Sequence, residues 1–346
     1  MNFDLTEERQ MLQDTLRRFL AEAQGDVWSG LAELGVIAAL FSEEQGGFGG
    51  AGFDLALVFE ELGRADLSLP LIDAVLVPGR LLAGLGEDVS GLMDGTERLA
   101  LAHTEANGRY DLEWVETRAD GDRLSGEKSA VIAASTADRL IVSARHSGAP
   151  DDTAGIGLWL VDPDAPGLTR RSYALAQGGE AADISLSDTP GTRLTEEGFD
   201  ALADTMAAGL LAQTAETLGA METALTMTQD YLGTRKQFGR PIGSFQALSH
   251  RMVDLMVAQE QARSAVILAA AHLDHPAEER DRVLSAAKNI LGRTGQLVAE
   301  ETIQLHGGIG MTDEYALSRF AKRIVMADHR FGDTDHHMER FIALGL

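Results

Sequence analysis

Two short segments of this sequence carry residue types that can bind a phosphorylated ligand. In the first, Arg235, Gln237 and Phe238 end a predicted helix, and Gly239 and Pro241 predict a turn directly after it. A guanidinium can donate two parallel hydrogen bonds to a phosphate. An arginine at a helix end also complements the helix dipole without binding a ligand. This segment alone therefore leaves a structural role and a ligand site both open.

The second segment lies about 70 residues further on and contains Gln304, Gly307, Gly308 and Gly310. Because glycine lacks a Cβ, its backbone N–H group can approach a pyrophosphate closely. A glycine-rich run is by itself more typical of a helix end or a tight turn. The presence of this second segment shifts the interpretation of the first toward a phosphorylated cofactor.

A third segment near the C-terminus, FGDTDHH, offers acid–base or metal chemistry. A positioned carboxylate can act as a general base, and Asp and His side chains are zinc ligands. The possible ligands are Asp333, Asp335, His336 and His337. Adjacent positions in a loop seldom converge on one ion, so we predict no metal site here.

The composition limits the classes of function that remain. The chain of 346 residues has a formal charge of −25, which disfavours nucleic acid and anionic membrane surfaces as partners. It has no cysteine, which excludes disulfides and thiolate chemistry. No apolar run approaches the length of a membrane span, and the acidic start is not typical of a signal or transit peptide. We therefore expect a cytoplasmic protein.

The surrounding sequence predicts an α+β protein with three domains. Residues 1–97 show helical periodicity, with Thr6 as the first N-cap, and predict an N-terminal helical domain. Residues 98–195 contain short apolar runs between turn residues, including a hairpin at Asp120-Gly121, and predict an antiparallel, barrel-like β domain. Residues 196–346 predict a C-terminal four-helix bundle. Its helices are predicted at residues 206–234, 247–273, 280–305 and 318–327.

The segments RKQFGRPIGSFQ (residues 235–246) and QLHGGIGMTDEY (residues 304–315) closely resemble the C-terminal domain of acyl-CoA dehydrogenases. The resemblance covers most of the chain and is identified also in FDLTEERQMLQDTLRRFL and LAELGVIAALFSEEQGGFG. It implies that FAD binds at a subunit interface. The residues implied in contact with its pyrophosphate, or in reaching it from a neighbouring subunit, are Arg235, Gln237, Phe238, Gln304, Gly307 and Gly308.

The same resemblance implies further cofactor contacts at Thr104, Gln246, Thr334 and His336, with His250 a weaker candidate. We expect the two motif segments to lie at opposite ends of the bundle and to serve different subunits. Cofactor binding would then require an oligomer, which we expect to be a homo- or heterotetramer.

The sequence departs from the family where the chemistry starts. Thr104 and Glu105 are retained, but the family's Pro-Gly pair is absent after them, and Ala130 stands where an aromatic residue is usual. The family's catalytic Glu corresponds to Gly332, and an alternative position on the preceding helix falls near Gly209. Asp333 is the nearest candidate base, and Glu216 is a more distant one.

Three functions remain open on this resemblance. The first is a flavoenzyme subunit that oxidises an acyl-CoA to 2-enoyl-CoA in lipid metabolism and passes electrons to an electron-transfer flavoprotein. The second is a non-catalytic subunit that completes the FAD site of a partner bearing the Glu, as in the small subunits of two-subunit acyl-CoA dehydrogenases, which this short form and FGDTDHH resemble. The third is a flavin monooxygenase of the same fold.

Overall fold

The computed structural model describes residues 5–23 and 25–345. Helices come first along the chain, and Thr6 caps the first of them by accepting a hydrogen bond from the Arg9 backbone N–H at 3.3 Å, which confirms the predicted N-cap. One helical segment of this domain begins as a π-helical turn at Ile72–Leu76, and Pro78, which has no N–H to donate, follows two residues later. The α-helices are α1 (Glu7–Glu22), α2 (Val27–Glu33), α3 (Gly52–Arg64), α4 (Val77–Gly84) and α5 (Ser90–Met93).

A single eight-stranded sheet follows, in the order β6-β7-β3-β2-β4-β5-β8, with β1 beside β4. Most neighbouring strands are antiparallel, as predicted, but β1 and β2 each pair with β4 in parallel. The sequence did not predict this, because alternating apolar residues do not report strand direction. The strands are β1 (Leu99–Ala102), β2 (Arg118–Asp120), β3 (Arg123–Ile132), β4 (Arg139–Arg145), β5 (Ile156–Val161), β6 (Leu168–Ala174), β7 (Glu180–Pro190) and β8 (Thr192–Thr195).

Long helices make up the remainder of the chain. They are α6 (Phe199–Thr234), α7 (Gln246–His272), α8 (Ala277–His306), α9 (Leu317–Asp328) and α10 (Thr334–Ala343), with a small hairpin of β9 (Lys236–Gln237) and β10 (Arg240–Pro241) after α6. The first four helices confirm the predicted bundle. Our interpretation of residues 331–337 as a loop was wrong, because Asp333 caps α10 and residues 334–337 form its first turn. No helix in the described ranges is long and apolar enough to cross a membrane.

Helices α3 and α6 cross at glycines, which lets their backbones touch. A Cβ on Gly219 would overlap the carbonyl oxygen of Glu60, and one on Gly63 would overlap that of Glu216. Close approach of this kind fixes how the N-terminal helices sit on the bundle. Arg263 supports the crossing with ion pairs to Glu60 and Glu222, both at 2.6 Å.

Replacing Gly219 by alanine should lower the free energy of unfolding by about 1–3 kcal/mol, the usual cost of overpacking. The helix-propensity gain of about 1 kcal/mol cannot offset an overlap with backbone atoms that have nowhere to move. Gly233 is the matched control, because it lies on the same helix with nothing within 4 Å of an added Cβ. Urea unfolding of Gly219→Ala and Gly233→Ala should give opposite signs, and equal stability of the two variants would contradict the packing argument.

Candidate functional site

A cavity of about 360 Å³ lies between the sheet and the helical bundle. One wall is the segment from His103 to Trp114 together with the end of β3, and the other is the N-terminal half of α6 with the turn between α9 and α10. Of the residues predicted to contact the cofactor, Thr104 and His336 lie on this cavity, as do Ala130 and Gly332. The structure therefore brings these four positions together.

A fully buried lysine holds the Thr104 segment in place. Lys128 Nζ donates to Glu105 Oε1 at 2.7 Å, to the His103 carbonyl at 3.0 Å and to Ser143 Oγ at 3.0 Å. Glu105 also accepts hydrogen bonds from the Thr117 hydroxyl and from two backbone N–H groups. The exposed Thr104 therefore stands between two residues anchored to Lys128, and its side chain is presented toward the cavity by a rigid support.

Burial sets the protonation of this network. It lowers the pKa of Lys128 to about 8, although Glu105 opposes the shift. Burial, with the Lys128 charge as a second cause, lowers the pKa of His103 to about 3, so that imidazole is neutral. Burial acts to raise the pKa of Glu105, but the Lys128 charge and the hydrogen bonds outweigh it and hold that pKa below its ordinary value. At neutral pH the network is a lysine–glutamate ion pair beside a neutral histidine.

The end of β3 exposes backbone rather than an aromatic ring to the cavity. The pairing of β3 with β7 shifts register between Lys128 and Val131. Within this irregularity Ala130 takes φ 53°, and its N–H donates to Asp183 Oδ1 at 3.1 Å. A positive φ is unfavourable for a large side chain, which fits the alanine found here in place of the expected aromatic residue.

The turn between α9 and α10 has no room for a glutamate at position 332. Gly332 is buried with φ 97°, and an added Cβ would lie 2.6 Å from His336 Cδ2 and 2.7 Å from His337 Nε2. At the alternative position, a Cβ on Gly209 would lie 2.7 Å from the Phe331 ring and 2.8 Å from Val77 Cγ2. The packing therefore matches the absence of a carboxylate at both positions where the resemblance places one.

Asp333 serves as a helix cap rather than as a wall of the cavity. Its Oδ1 accepts from the His336 backbone N–H at 2.9 Å, and its carboxylate accepts from the Tyr110 hydroxyl. Burial acts to raise the pKa of Asp333, but these hydrogen bonds outweigh it and lower the pKa. A carboxylate that is stabilised in its charged form is a weak base. The Glu216 carboxylate is also engaged in an ion pair, because it accepts a hydrogen bond from Arg323 Nη2 at 3.0 Å.

Four carboxylates line the cavity, and sequence reasoning missed three of them. Glu105 belongs to the Lys128 network. Asp73 accepts at 2.8 and 2.7 Å from Arg330 Nη2, while burial raises its pKa. Asp281 pairs with Arg280 and Arg340, and Asp111 is exposed, without an ion-pair partner among the described residues. No sequence motif marks Asp73, Asp111 or Asp281, because their place on the wall depends on long-range packing.

The alternative of a metal site in FGDTDHH is contradicted by the contacts of its members. His337 is buried, its Nε2 lies 2.7 Å from the Phe331 carbonyl oxygen, and its Nδ1 lies 3.2 Å from Ser285 Oγ. Burial lowers the pKa of His337 to about 3. Thr334 likewise turns inward, donating from Oγ to Asp328 Oδ1 at 2.8 Å. The side-chain contacts of His337 and Thr334 therefore stabilise the turn between α9 and α10.

The other predicted cofactor residues lie at the opposite end of the bundle from the cavity. Tyr231, at the end of α6, stacks on His306, at the end of α8, with ring centroids 4.5 Å apart. The two motif segments follow these residues, so they lie at the same end of the bundle, and our prediction of opposite ends was wrong. Three successive antiparallel helices place the ends of the first and third together. The exposed residues at this end are Arg235, Gln237, Phe238, Gln246, Gln304, Gly307 and Gly308.

The end of the bundle that carries the two motif segments, called the motif end below, exposes polar side chains that have no hydrogen-bond partner among the described residues. The side chains of Arg235, Gln237 and Gln304 have no hydrogen-bond partner within residues 5–23 and 25–345. An added Cβ on Gly308 would meet nothing within 4 Å, and its φ is not positive. Packing within the chain therefore gives no reason for a glycine at this position, whereas close approach of a ligand or a second subunit does.

Comparison with known proteins covers most of the chain. Residues 6–86, 100–188 and 196–343 match the N-terminal, middle and C-terminal domains of acyl-CoA dehydrogenases, respectively. Acyl-CoA dehydrogenase IpdE2 of Mycobacterium tuberculosis is 35% identical over 335 residues, which cover 92% of this chain and 91% of the relative.

Two solved structures share the fold along nearly the full length. A variant of the steroid acyl-CoA dehydrogenase Tcur3481-Tcur3483 has a TM-score of 0.84 and 29% identity, covering 98% of this chain and 97% of the other. The ChsE4-ChsE5 complex of Mycobacterium tuberculosis has a TM-score of 0.86 and 24% identity, covering 99% and 98%.

Proposed function

Because the chain belongs to the acyl-CoA dehydrogenase family, we propose that it is a subunit of an FAD-dependent enzyme that oxidises an acyl-CoA to 2-enoyl-CoA. FAD is the cofactor of this family, and it supplies the acceptor for the hydride lost from the acyl Cβ. An electron-transfer flavoprotein is the proposed electron acceptor, and lipid metabolism the proposed setting.

One observation carries this proposal: the cavity and the motif end are too far apart for one FAD molecule to bridge within a subunit. Leu210 lines the cavity, and Arg235 follows it by 25 residues along α6. At 1.5 Å per residue the separation is roughly 37 Å, longer than an extended FAD. We infer that the motif end of one subunit binds the FAD whose flavin ring lies in the cavity of another.

The residues of each end fit their part of such a shared site. At the motif end, Arg235 and Gln237 would donate to the pyrophosphate, and the backbone of Gly307 and Gly308 would allow close approach. At the cavity, the Thr104 hydroxyl on its Lys128 support would orient the flavin ring. His336 lies on the opposite wall, and burial lowers its pKa, so it would present a neutral imidazole.

The second candidate function, a partner subunit without its own catalytic base, is favoured by the engaged carboxylates. Proton removal from the acyl Cα requires a free carboxylate within reach. Asp333 caps a helix, Asp73 and Asp281 are paired with arginines, and Glu105 is paired with Lys128. Of the four carboxylates on the cavity wall, Asp111 alone has no ion-pair partner among the described residues, so it is the carboxylate of this chain that a test of the second function must exclude as the base. The solved structure at 29% identity is named for two proteins, Tcur3481 and Tcur3483, which also supports a heteromeric assembly.

Replacing Asp333 by asparagine should leave the turnover of the assembly largely unchanged, because asparagine is as good an N-cap as aspartate and the base lies in another subunit. If Asp333 were the base, turnover would fall by about 10²–10⁴-fold. Steady-state turnover should be measured with flavin content, since loss of cofactor would imitate loss of a base.

Asp73→Asn and Asp111→Asn apply the same test to two carboxylates on the cavity wall. Asp111→Asn is the more informative of the two variants, because Asp111 is exposed on the cavity wall and its carboxylate has no ion-pair partner among the described residues. A fall of 10²-fold or more in any of the three variants at full flavin occupancy would place the base in this chain and rule out the partner-subunit function.

The overall proposal is tested by expressing the chain alone and together with a second acyl-CoA dehydrogenase subunit. We expect bound flavin only in an assembled form. Acyl-CoA oxidation would be followed with an artificial electron acceptor, so that the result does not depend on the natural one. An assembled protein that binds neither FAD nor acyl-CoA would contradict the proposal.

A further inference from the structure

Two imidazoles and a carboxylate converge at the surface where α7 turns into α8. His272 ends α7, His275 lies in the turn, and Glu279 lies in the first turn of α8. One ligand atom from each residue lies within 4.8 Å of the other two. None of the three lines the cavity, so this cluster is separate from the proposed FAD site.

The distances in this cluster suit a metal ion better than a hydrogen bond. His272 Nε2 lies 3.5 Å and His275 Nδ1 lies 3.3 Å from Glu279 Oε1. Both are longer than the 2.7–3.2 Å or so of an N–H···O hydrogen bond. With Zn–N of about 2.0–2.1 Å and Zn–O of about 2.0–2.2 Å, neighbouring ligand atoms of a tetrahedral zinc lie about 3.3–3.5 Å apart. The two distances to Glu279 match those tetrahedral edges, and the ligand atoms of His272 and His275 lie within 4.8 Å of each other.

The tautomer of His272 is already the one that a metal requires. Its Nδ1 lies 2.8 Å from the Leu268 carbonyl oxygen, which can only accept, so Nδ1 carries the proton. In this tautomer of the neutral ring, Nε2 carries the lone pair, and it faces Glu279. A backbone carbonyl bound to the other ring nitrogen is the usual way in which proteins orient a ligating histidine. Only 12% of the His272 side chain is exposed, which limits its movement.

The electrostatic setting also favours a cation. His272 lies at the C-terminus of α7, where the helix dipole is negative. The whole chain has a formal charge of −25, so divalent cations are concentrated near its surface.

We propose that His272, His275 and Glu279 bind one zinc-type ion, with water as the fourth ligand, and that the ion ties the end of α7 to the start of α8. Two imidazoles and one carboxylate are a donor set that Zn²⁺ accepts. The ion would stabilise the helical hairpin whose other end carries the FAD-binding segments. Its role is structural, because the site opens to solvent and none of its three ligands lines the cavity of the proposed FAD site.

The experiment is a titration of the metal-free assembly with Zn²⁺ against a chromophoric chelator, followed by Co²⁺ substitution. The variants are His275→Ala and Glu279→Gln, whose exposed side chains can be changed without disturbing the core. His146→Ala is the matched control, because His146 faces one carboxylate, Glu197, at 3.7 Å and has no second histidine in its cluster.

We expect the wild type and His146→Ala to bind one more equivalent of Zn²⁺ per chain than His275→Ala. Glu279→Gln should bind at least about tenfold more weakly. Co²⁺ in the wild type should give the intense visible bands of a tetrahedral site, and Zn²⁺ should raise its melting temperature but not that of His275→Ala. Equal stoichiometry and affinity in the wild type and His275→Ala would overturn the proposal, as would a Co²⁺ spectrum typical of six-coordination.

Discussion

Replacing Lys128 by methionine should lower the free energy of unfolding by about 3–5 kcal/mol, because it leaves the buried Glu105 carboxylate without its counter-charge. The lysine is fully buried and donates three hydrogen bonds at 2.7–3.0 Å. Methionine fills a similar volume, so the loss reports the interactions rather than a cavity. Chemical denaturation of the purified assembly measures it.

The double variant Lys128→Met with Glu105→Gln is the control. Removing both charges should recover much of the loss, since neutral buried pairs lack the desolvation cost of the ions. If the double variant is as unstable as the single one, the ion pair is not the cause.

The dependence of stability on pH gives an independent check of the same group. The pKa of Lys128 is lowered to about 8 in the folded protein and returns to its ordinary value of about 10.5 on unfolding. Between these values the unfolded chain binds more protons, so the contribution of Lys128 to the free energy of unfolding rises with pH. The wild type should therefore gain stability relative to Lys128→Met from about pH 8 to 10.5, and a flat difference would contradict the lowered pKa.

Arg235→Ala should weaken FAD binding by roughly 10- to 150-fold, the loss of about 1.5–3 kcal/mol that a charge-assisted contact contributes. Arg235 is exposed at the end of α6 and its side chain has no partner in the described parts of the chain. The substitution therefore removes little from the stability of the free subunit. Fluorescence titration of the flavin-free assembly with FAD measures the affinity directly.

Lys236→Ala is the matched control for this prediction. Lys236 is the next residue and is also exposed, and its replacement by alanine removes the same charge. Arg235 has extended backbone and β9 begins at Lys236, and successive side chains of an extended chain point to opposite sides. Lys236→Ala should therefore affect FAD binding only through the general field. Equal weakening by both variants would show that net charge, rather than a specific contact of Arg235, is responsible.

The sequence was sufficient to predict the features of the fold and of the site that depend on local residue pattern. Thr6 was recognised as a cap because its residue type and the following acidic turn suffice. The four long helices followed from apolar periodicity. The missing base was visible as Gly332, and the structure adds that His336 and His337 leave no room for a larger residue there.

The remaining features depend on contacts between distant residues. Asp73 accepts a hydrogen bond from Arg330, which lies 257 residues further along the chain, and no local sequence pattern predicts such a pair. Helix α10 was missed because ten residues give too weak a periodicity, although Asp333 is a good N-cap residue type. The placement of both motifs at one end of the bundle, by contrast, could have been predicted from the sequence. The motifs follow the first and third of three successive antiparallel helices, whose ends lie together.

The central claim, that each FAD is shared between the cavity of one subunit and the motif end of another, is tested most directly by sedimentation velocity. The boundary would be followed by protein absorbance and by flavin absorbance while the assembly is diluted. We predict that flavin sediments only with dimers or larger species and is released as they dissociate. A monomer that sediments with one FAD per chain would contradict the claim.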